Sequence, residues 1–421
     1  MARFCARFNV TNQMLRQHIG DPAMHHQNTV LHGLIKALPR WRFEALARRH
    51  GADHRVRTLP TWSQLVALLY AQLAGIQSLR ELVATLASHG NLLYHLGAHA
   101  VRRSTLADAN ATRPLAVFHD VFALLLRQLQ PKLVGPAKDA IRLLDASVIK
   151  LGALSTWARF ADASTAAKVH VVFDPRAALP TYFAITAAKV NDIVEAKQMP
   201  IEPGATYVFD QGYGACPRTG PRPDPGDFGF WAALDAQGCR FVTRLKTNSP
   251  RTVLAERPTV DPAILSDRTV QLNGRMAKSR RNPYQAPVRE VVVQVAAQRT
   301  LHLVTNDLDA PARQIAQLYQ THWQIELFFR WVKQNLKIKK FLGTSEHAIK
   351  LQIITALITY LLLRLAQNAW PAAASLQQLA RLARANLMHK KTIADLLHPP
   401  PGPRPRPASP QLAMDLSHAH P

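Results

Sequence analysis

Three acidic side chains, Asp145, Asp210 and Glu326, sit among apolar neighbours in a chain otherwise dominated by basic residues. Over 421 residues, Lys and Arg number 52 against 27 Asp and Glu, a formal charge of +25. Carboxylate oxygens are the hard ligands that Mg²⁺ prefers, and one or two per ion suffice when substrate phosphates complete the shell. Singly, an Asp at the end of a strand is a turn or cap residue. Brought together, three carboxylates form a candidate cage for two metal ions. Such a cage activates an attacking oxygen and stabilises a leaving one in phosphoryl transfer.

The stretch Leu318 to Lys340 gives Glu326 a specific setting. At 100° per residue, Tyr319, His322, Glu326, Arg330 and Lys333 fall on one stripe of a helix. Ile325, Leu327, Phe328, Phe329, Trp331 and Val332 take the remaining sides. A helix apolar on most sides is buried, so its polar stripe faces a cleft or a ligand. The competing account is an ordinary core helix with Glu326 paired to Arg330.

The elements that must position these groups follow in order. Residues 1–23 lack periodicity and read as an extension outside the fold. Residues 24–135 are helical in pattern, with Gly75 marking a break and Ser104 or Thr105 a candidate cap. Arg102, Arg103 and Arg113 give this part a basic edge suited to DNA phosphates, or to plain solvation. A change of pattern then predicts three strands, a short helix capped by Asn191 or Asp192, a strand, a helix closed by Gly238, and a fifth strand. Asp145 is expected near the end of the first strand and Asp210 at the end of the fourth. Residues 247–301 read as a β-rich insertion carrying a basic turn, Lys278, Arg280 and Arg281. The predicted class is α/β, with an all-helical N-terminal domain before a mixed sheet and helical segments after it. The catalytic region is expected over 136–345, a helical C-terminal region over 346–398 and a Pro-rich disordered tail over 399–421.

Composition narrows the partners. An excess of positive charge of this size favours a polyanion, most plausibly nucleic acid, and no lysine-rich amphipathic membrane anchor stands out. Cys5, Cys216 and Cys239 have no metal-ligand spacing and no even-numbered framework, which points to a reducing compartment, the cytoplasm. The N-terminus has no apolar run of signal-peptide type. The apolar run Leu351 to Leu365 is too short to span a bilayer and reads as a buried helix.

Together these motifs resemble bacterial insertion-sequence transposases of the DDE type. The resemblance is closest to the branch whose signature around the glutamate is Y-x2-R-x3-E-x6-K, which reads here Tyr319, His322, Glu326 and Lys333. LLDASVIKL, YVFDQGYG and LYQTHWQIELFFRWVKQNLKIKKFLGT match in order, and SLREL and RSTLADAN match the helical N-terminal part. The resemblance covers about Met24 to Leu397. It implies a ribonuclease H-like core interrupted by a β-rich insertion. It implies Asp145, Asp210 and Glu326 as catalytic ligands of two Mg²⁺ ions, with Mn²⁺ able to substitute. It further implies cleavage at the ends of the chain's own insertion sequence through a hairpin intermediate, joining to double-stranded target DNA, and a homodimer assembled on DNA. Tyr319, Arg330 and Lys333 would hold phosphates, and Trp323 would stack on a displaced base or serve the core. Lys168 and His170 would lie near the metals, or be plain strand residues.

Two departures stand out. His322 replaces the signature arginine, which grips phosphate bidentately at any pH, so weaker anchoring is expected, and His322→Arg should raise, or at least not lower, end cleavage. A Pro-rich insert, Gly214 to Gly226, follows Asp210 where the pattern passes directly into a helix. The alternative reading is therefore a catalytically impaired relic that keeps only DNA binding.

Overall fold

The computed structural model describes residues 28–130, 140–161, 164–210, 228–247, 249–273, 282–296, 299–336, 340–369 and 375–397. The N-terminal extension, the 214–226 insert, the basic turn at 278–281 and the Pro-rich tail lie outside the described residues.

One mixed sheet organises the chain. Its strands are β1 (Ile141–Lys150), β2 (Arg159–Ala161), β3 (Ser164–Asp174), β4 (Leu179–Ala187), β5 (Thr206–Phe209), β6 (Arg240–Arg244), β7 (Arg251–Arg257), β8 (Ile264–Leu272), β9 (Val288–Ala296) and β10 (Arg299–Thr305). They run in the order β2-β3-β1-β5-β6-β10-β9-β8-β7, with β4 also on β3. β1, β5 and β6 are parallel to one another, and the remaining pairs are antiparallel. The strands of the expected insertion extend the same sheet. β10 pairs with β6, Leu303 opposite Arg244, so the edge that β6 would present to solvent is covered.

Alternation along the strands divides the core between the two faces. Leu144, Val172, Tyr207, Phe209 and Phe241 share one face with Ile193 of α7 (Asp192–Ala196) and with Phe230 and Trp231 of α8 (Gly229–Ala236), the helices counted in chain order from the N-terminus. Asn191 caps α7 as the sequence predicts, accepting from the Ile193 N–H. Leu143, Val171, Phe173, Val208 and Val242 share the other face with Ile325, Phe328 and Val332.

That second face is continuous with the all-helical part. The N-terminal helices are α1 (Val30–Ile35), α2 (Arg40–Arg49), α3 (Thr61–Ala74), α4 (Leu79–Ser88), α5 (Arg103–Thr112) and α6 (Leu115–Leu129). Gly75 ends α3 in the left-handed conformation at φ 76°, which glycine adopts without a Cβ clash. After the sheet come α9 (Ala312–Thr321), α10 (Trp323–Asn335), α11 (Glu346–Ala369), α12 (Leu376–Asn386) and α13 (Ile393–Leu397). α11 packs against α1, α3, α5 and α6. With 24 residues it is long and apolar enough to cross a membrane, longer than the run read from the sequence, but neighbouring helices bury most of it.

The N-terminal and C-terminal helices are also tied by polar contacts. Arg384 donates to the carbonyls of Leu73 and Asn335, His347 donates to that of Arg113, and Gln72 to that of Leu336.

Three local expectations change. Arg113 is not on a basic edge. It is only 8% exposed and donates to Asp53, to Thr61 and to the carbonyls of Ala52 and Leu59. A single internal cation satisfies several acceptors that the loop leading into α3 leaves inside. Ser104 and Thr105 do not cap α5, which begins one residue earlier with no side-chain cap. The stretch from Leu318 to Lys340, expected as one helix, breaks at His322, where the His322 N–H bonds to the Tyr319 carbonyl and the Ile325 N–H to that of His322, both at the tighter i to i−3 spacing.

Candidate active site

The register of the parallel strands brings the first two carboxylates together. The β1–β5 pairing ends at Leu144 opposite Phe209. Asp145 and Asp210 are the next residue on each chain, and alternation turns both away from the face of Leu144 and Phe209. β1 itself continues to Lys150, so Asp145 lies mid-strand rather than near its end. What ends there is the pairing with β5. The same register sets Phe209 opposite Thr243, so Arg244 stands beside Asp210 at the same level of the sheet.

α10 brings the third carboxylate over this row. Ile325, Phe328 and Val332 bury the inner side of the helix against the sheet. Glu326, in its first turn, is 46% exposed on the side chain and lies 4.0 Å from His322 Nδ1. Each of the other two carboxylates raises the pKa of Asp145, which places both within electrostatic reach of it. Burial is the largest cause, pushing Asp145 up to about 6; His322 and the Ala146 N–H pull it back. The Ala146 N–H donates to Asp145 Oδ1 at 2.7 Å.

Asp210 is held by a cation and a phenol. Arg244 Nε and Nη2 donate to its two oxygens at 2.5 and 2.6 Å, and the Tyr319 hydroxyl donates to Oδ1 at 3.3 Å. Burial, and then the Asp210 charge, push the Tyr319 pKa up, so this hydroxyl stays a donor. Lys333 faces the same cluster: burial lowers its pKa and the charge of Asp145 opposes that.

His322 points inward. It is 5% exposed, and its Nε2–H donates to the Leu144 carbonyl at 3.0 Å, one residue before Asp145. Its ring lies parallel to that of Tyr319, centroids 6.0 Å apart. Arg330 and Trp323 face outward. The Arg330 guanidinium lies 5.5 Å from the centre of the Trp323 ring, and Trp323 is 51% exposed. The expected polar stripe is thus split: Tyr319, His322, Glu326 and Lys333 converge on the carboxylates, while Arg330 and Trp323 form an exposed pair beside them. The Glu326–Arg330 pair of the competing account does not form.

Lys168 and His170 belong to the opposite face. Lys168 pairs with Asp192 at 2.9 Å and donates to the Val190 carbonyl; His170 bonds to Thr186 at 2.9 Å. They fasten α7 and β4 to the sheet.

The donor set suits a hard divalent cation: three carboxylates on one face, with desolvation and mutual repulsion that a cation would relieve. Among the described residues, no three ligating side chains are gathered closely enough to hold an ion as they stand. Asp210 is instead gripped bidentately by Arg244. Arg244 was missed in the sequence, although CRFVTRLKT alternates in a way that puts it in this row. The Leu144 carbonyl, a backbone acceptor, left no signal.

Comparison with known proteins identifies a family. Residues 136–362 match the family model described as Transposase DDE domain, a span that includes all three carboxylates. Residues 26–99 match a domain of unknown function (DUF4372). A putative transposase of Sinorhizobium fredii is 38% identical over 301 residues, covering 70% of this chain and 80% of the relative. A probable transposase for insertion sequence element IS5377 of Geobacillus stearothermophilus is 27% identical, covering 62% and 66%. Among solved structures, a piggyBac transposase synaptic complex with hairpin DNA aligns at a TM-score of 0.41 and 10% identity, over 84% of this chain and 77% of that one, too distant to carry inference.

Proposed function

The chain belongs to the DDE transposase family and is a DNA transposase; on that premise we propose that it cuts the ends of its own insertion sequence and joins them to target DNA at the Asp145, Asp210 and Glu326 site. The observation that carries this reading is the convergence of Asp210 and Glu326 on a buried Asp145, whose pKa burial chiefly, and then the two neighbouring carboxylates, lift to about 6. The strand order β4-β3-β1-β5-β6, with β3 antiparallel to β1 and β4, β5 and β6 all running parallel to it, supports a ribonuclease H-like core.

In this reading Asp145, Asp210 and Glu326 would hold two Mg²⁺ ions, which would supply Lewis-acid chemistry to the phosphoryl transfer. The remaining roles belong to the chain's own side chains. Lys333, facing Asp145, places a positive charge beside the scissile phosphate. Tyr319 holds Asp210 in rotamer. Arg330, stacked beside Trp323, presents its guanidinium outward to a phosphate, and Trp323 offers a free ring face to an unstacked base. His322 positions β1 under α10 instead of touching substrate. Two protomers on two DNA ends complete the assembly.

The test is cleavage of duplex DNA carrying the sequences that flank the gene. Cleavage is expected with Mg²⁺ or Mn²⁺, and Asp145→Asn abolishes it while DNA binding persists. The Arg244–Asp210 bridge favours one second reading, an impaired transposase that binds DNA without cutting. DNA binding by the wild-type chain with no cleavage under either cation would establish that reading.

A further inference from the structure

With Arg113 internal, the surface of the helical part that meets DNA must be sought elsewhere, and one face stands out. Between Lys36 and Arg57 the chain carries Lys36, Arg40, Arg42, Arg48, Arg49, Arg55 and Arg57 against two acids, Glu44 and Asp53. Both acids are engaged: Glu44 pairs with Arg40, and Asp53 binds the internal Arg113 and caps Thr61. Arg42, Arg48, Arg55, Arg57 and Lys36 are exposed, with no ion pair among the described residues.

α2 gives this charge a shape. Phe43 and Ala47 bury its inner side, and the Phe43 ring meets Trp62 of α3 edge-on at 5.2 Å. The outward side reads Trp41, Arg42, Ala45, Arg48 and Arg49, at the spacing of two adjacent helical rows, all exposed. Arg49 and His50 reach Asp120 of α6, which fixes the far end of the helix.

Trp41 is the anomaly. It is 65% exposed, on a helix whose inner side has an apolar site for Phe43, and the Arg42 guanidinium lies 5.1 Å from its ring centre. A large aromatic left outside beside a stacked arginine, at the first turn of a basic helix, matches the chemistry that meets nucleic acid. The helix begins after Pro39 with no side-chain cap, so its first N–H groups point toward the same partner. The following turn holds Arg55 at φ 56°, a left-handed backbone conformation that costs an L residue energy and carries its side chain outward.

We propose that the outward face of α2, from Trp41 to Arg49, together with Arg55 and Arg57, is the surface on which this chain docks duplex DNA. The proposal rests on the transposase reading and specifies where the helical part engages its substrate. Arginines at 42 and 48 neutralise backbone phosphates. Trp41 packs against sugar or base and adds contact that salt does not screen.

The experiment is fluorescence anisotropy of the full-length chain on two duplexes of equal length, one carrying the gene's flanking sequence and one of random sequence, across a salt series. Each phosphate contact contributes about 0.9 to the slope of log K against log salt. The double variant Arg42→Ala/Arg48→Ala is expected to lower that slope by about 1.8 on both duplexes. Trp41→Ala weakens binding several-fold with the slope unchanged. If the double variant melts early, the single substitutions take its place, each expected to lower the slope by about 0.9. A folded double variant with wild-type slope and affinity overturns the docking surface while leaving the transposase reading intact. Failure of the wild-type chain to bind either duplex overturns that reading itself.

Discussion

Arg244 holds both carboxylate oxygens of Asp210, at 2.5 and 2.6 Å, from the neighbouring strand at the same level of the sheet. The guanidinium covers both oxygens with which Asp210 would hold a cation in the proposed site. It neutralises one of three like charges where the other two, on Asp145 and Glu326, are close enough to feel each other. In the proposed site, cation entry would require Arg244 to release Asp210, and the freed guanidinium could then take a phosphate.

Arg244→Gln is expected to bind Mn²⁺ about tenfold more tightly than wild type, read from the free-ion EPR signal, because one competitor is gone. Without metal the same variant melts at lower temperature, since three carboxylates then face one another with less compensation, and added Mn²⁺ restores the difference. Unchanged Mn²⁺ affinity would show that the bridge does not compete.

Burial lifts the Asp145 carboxyl from 3.8 to about 6. Between those values the folded chain binds the proton more tightly than the unfolded chain does, so ionisation works against the fold. The contribution of this group to stability is fully present below the unfolded pKa and is lost as pH rises through about 6. In the absence of divalent cations, Asp145→Asn should melt above wild type, with a gap that opens across this window and then stays level. A gap constant with pH would refute the strained carboxyl.

His322→Ala removes the donor that the buried Leu144 carbonyl relies on, at an expected cost of about 1–3 kcal/mol in urea unfolding. The same substitution frees β1 from α10, so Asp145 and Glu326 lose their fixed separation and cleavage falls with DNA affinity unchanged. His322→Arg, which a phosphate-gripping role would favour, must instead fit a guanidinium into a site shaped for an imidazole. It is expected to cost stability, and a His322→Arg chain as stable as wild type with faster cleavage would reverse this assignment.

Arg113→Ala should destabilise the helical part by roughly 3 kcal/mol or more, because Asp53 and the carbonyls of Ala52 and Leu59 lose a shared donor. Arg113→Lys recovers only part, since an ammonium cannot span all of these acceptors. DNA affinity of the still-folded fraction stays at the wild-type value, which separates this arginine from those on α2.

Much of the site could be read from the chain because it is built on strands. Alternation and short parallel strands fix where Asp145 and Asp210 emerge, and the 3.6-residue period aims Tyr319, Glu326 and Lys333 at them. What escaped is what periodicity does not encode. The break at His322 depends on a backbone acceptor nearly two hundred residues away. The burial of Arg113 depends on a loop that turns its carbonyls inward. The strands of 251–305 alternate as expected, but whether they stand apart or continue the sheet was decided by the pairing of β10 with β6, a long-range choice that leaves no local trace.

The position of α11 has a consequence for synthesis. A core begun by α3, α5 and α6 is closed by α11, which starts only at Glu346, so a growing polypeptide keeps apolar helices open until that helix has been made. A reading frame interrupted before Glu346 yields a sticky, protease-sensitive product in place of a stable DNA-binding fragment. Copies of such a gene silenced by an early stop codon would therefore leave no folded remnant to compete with intact transposase for the same DNA ends.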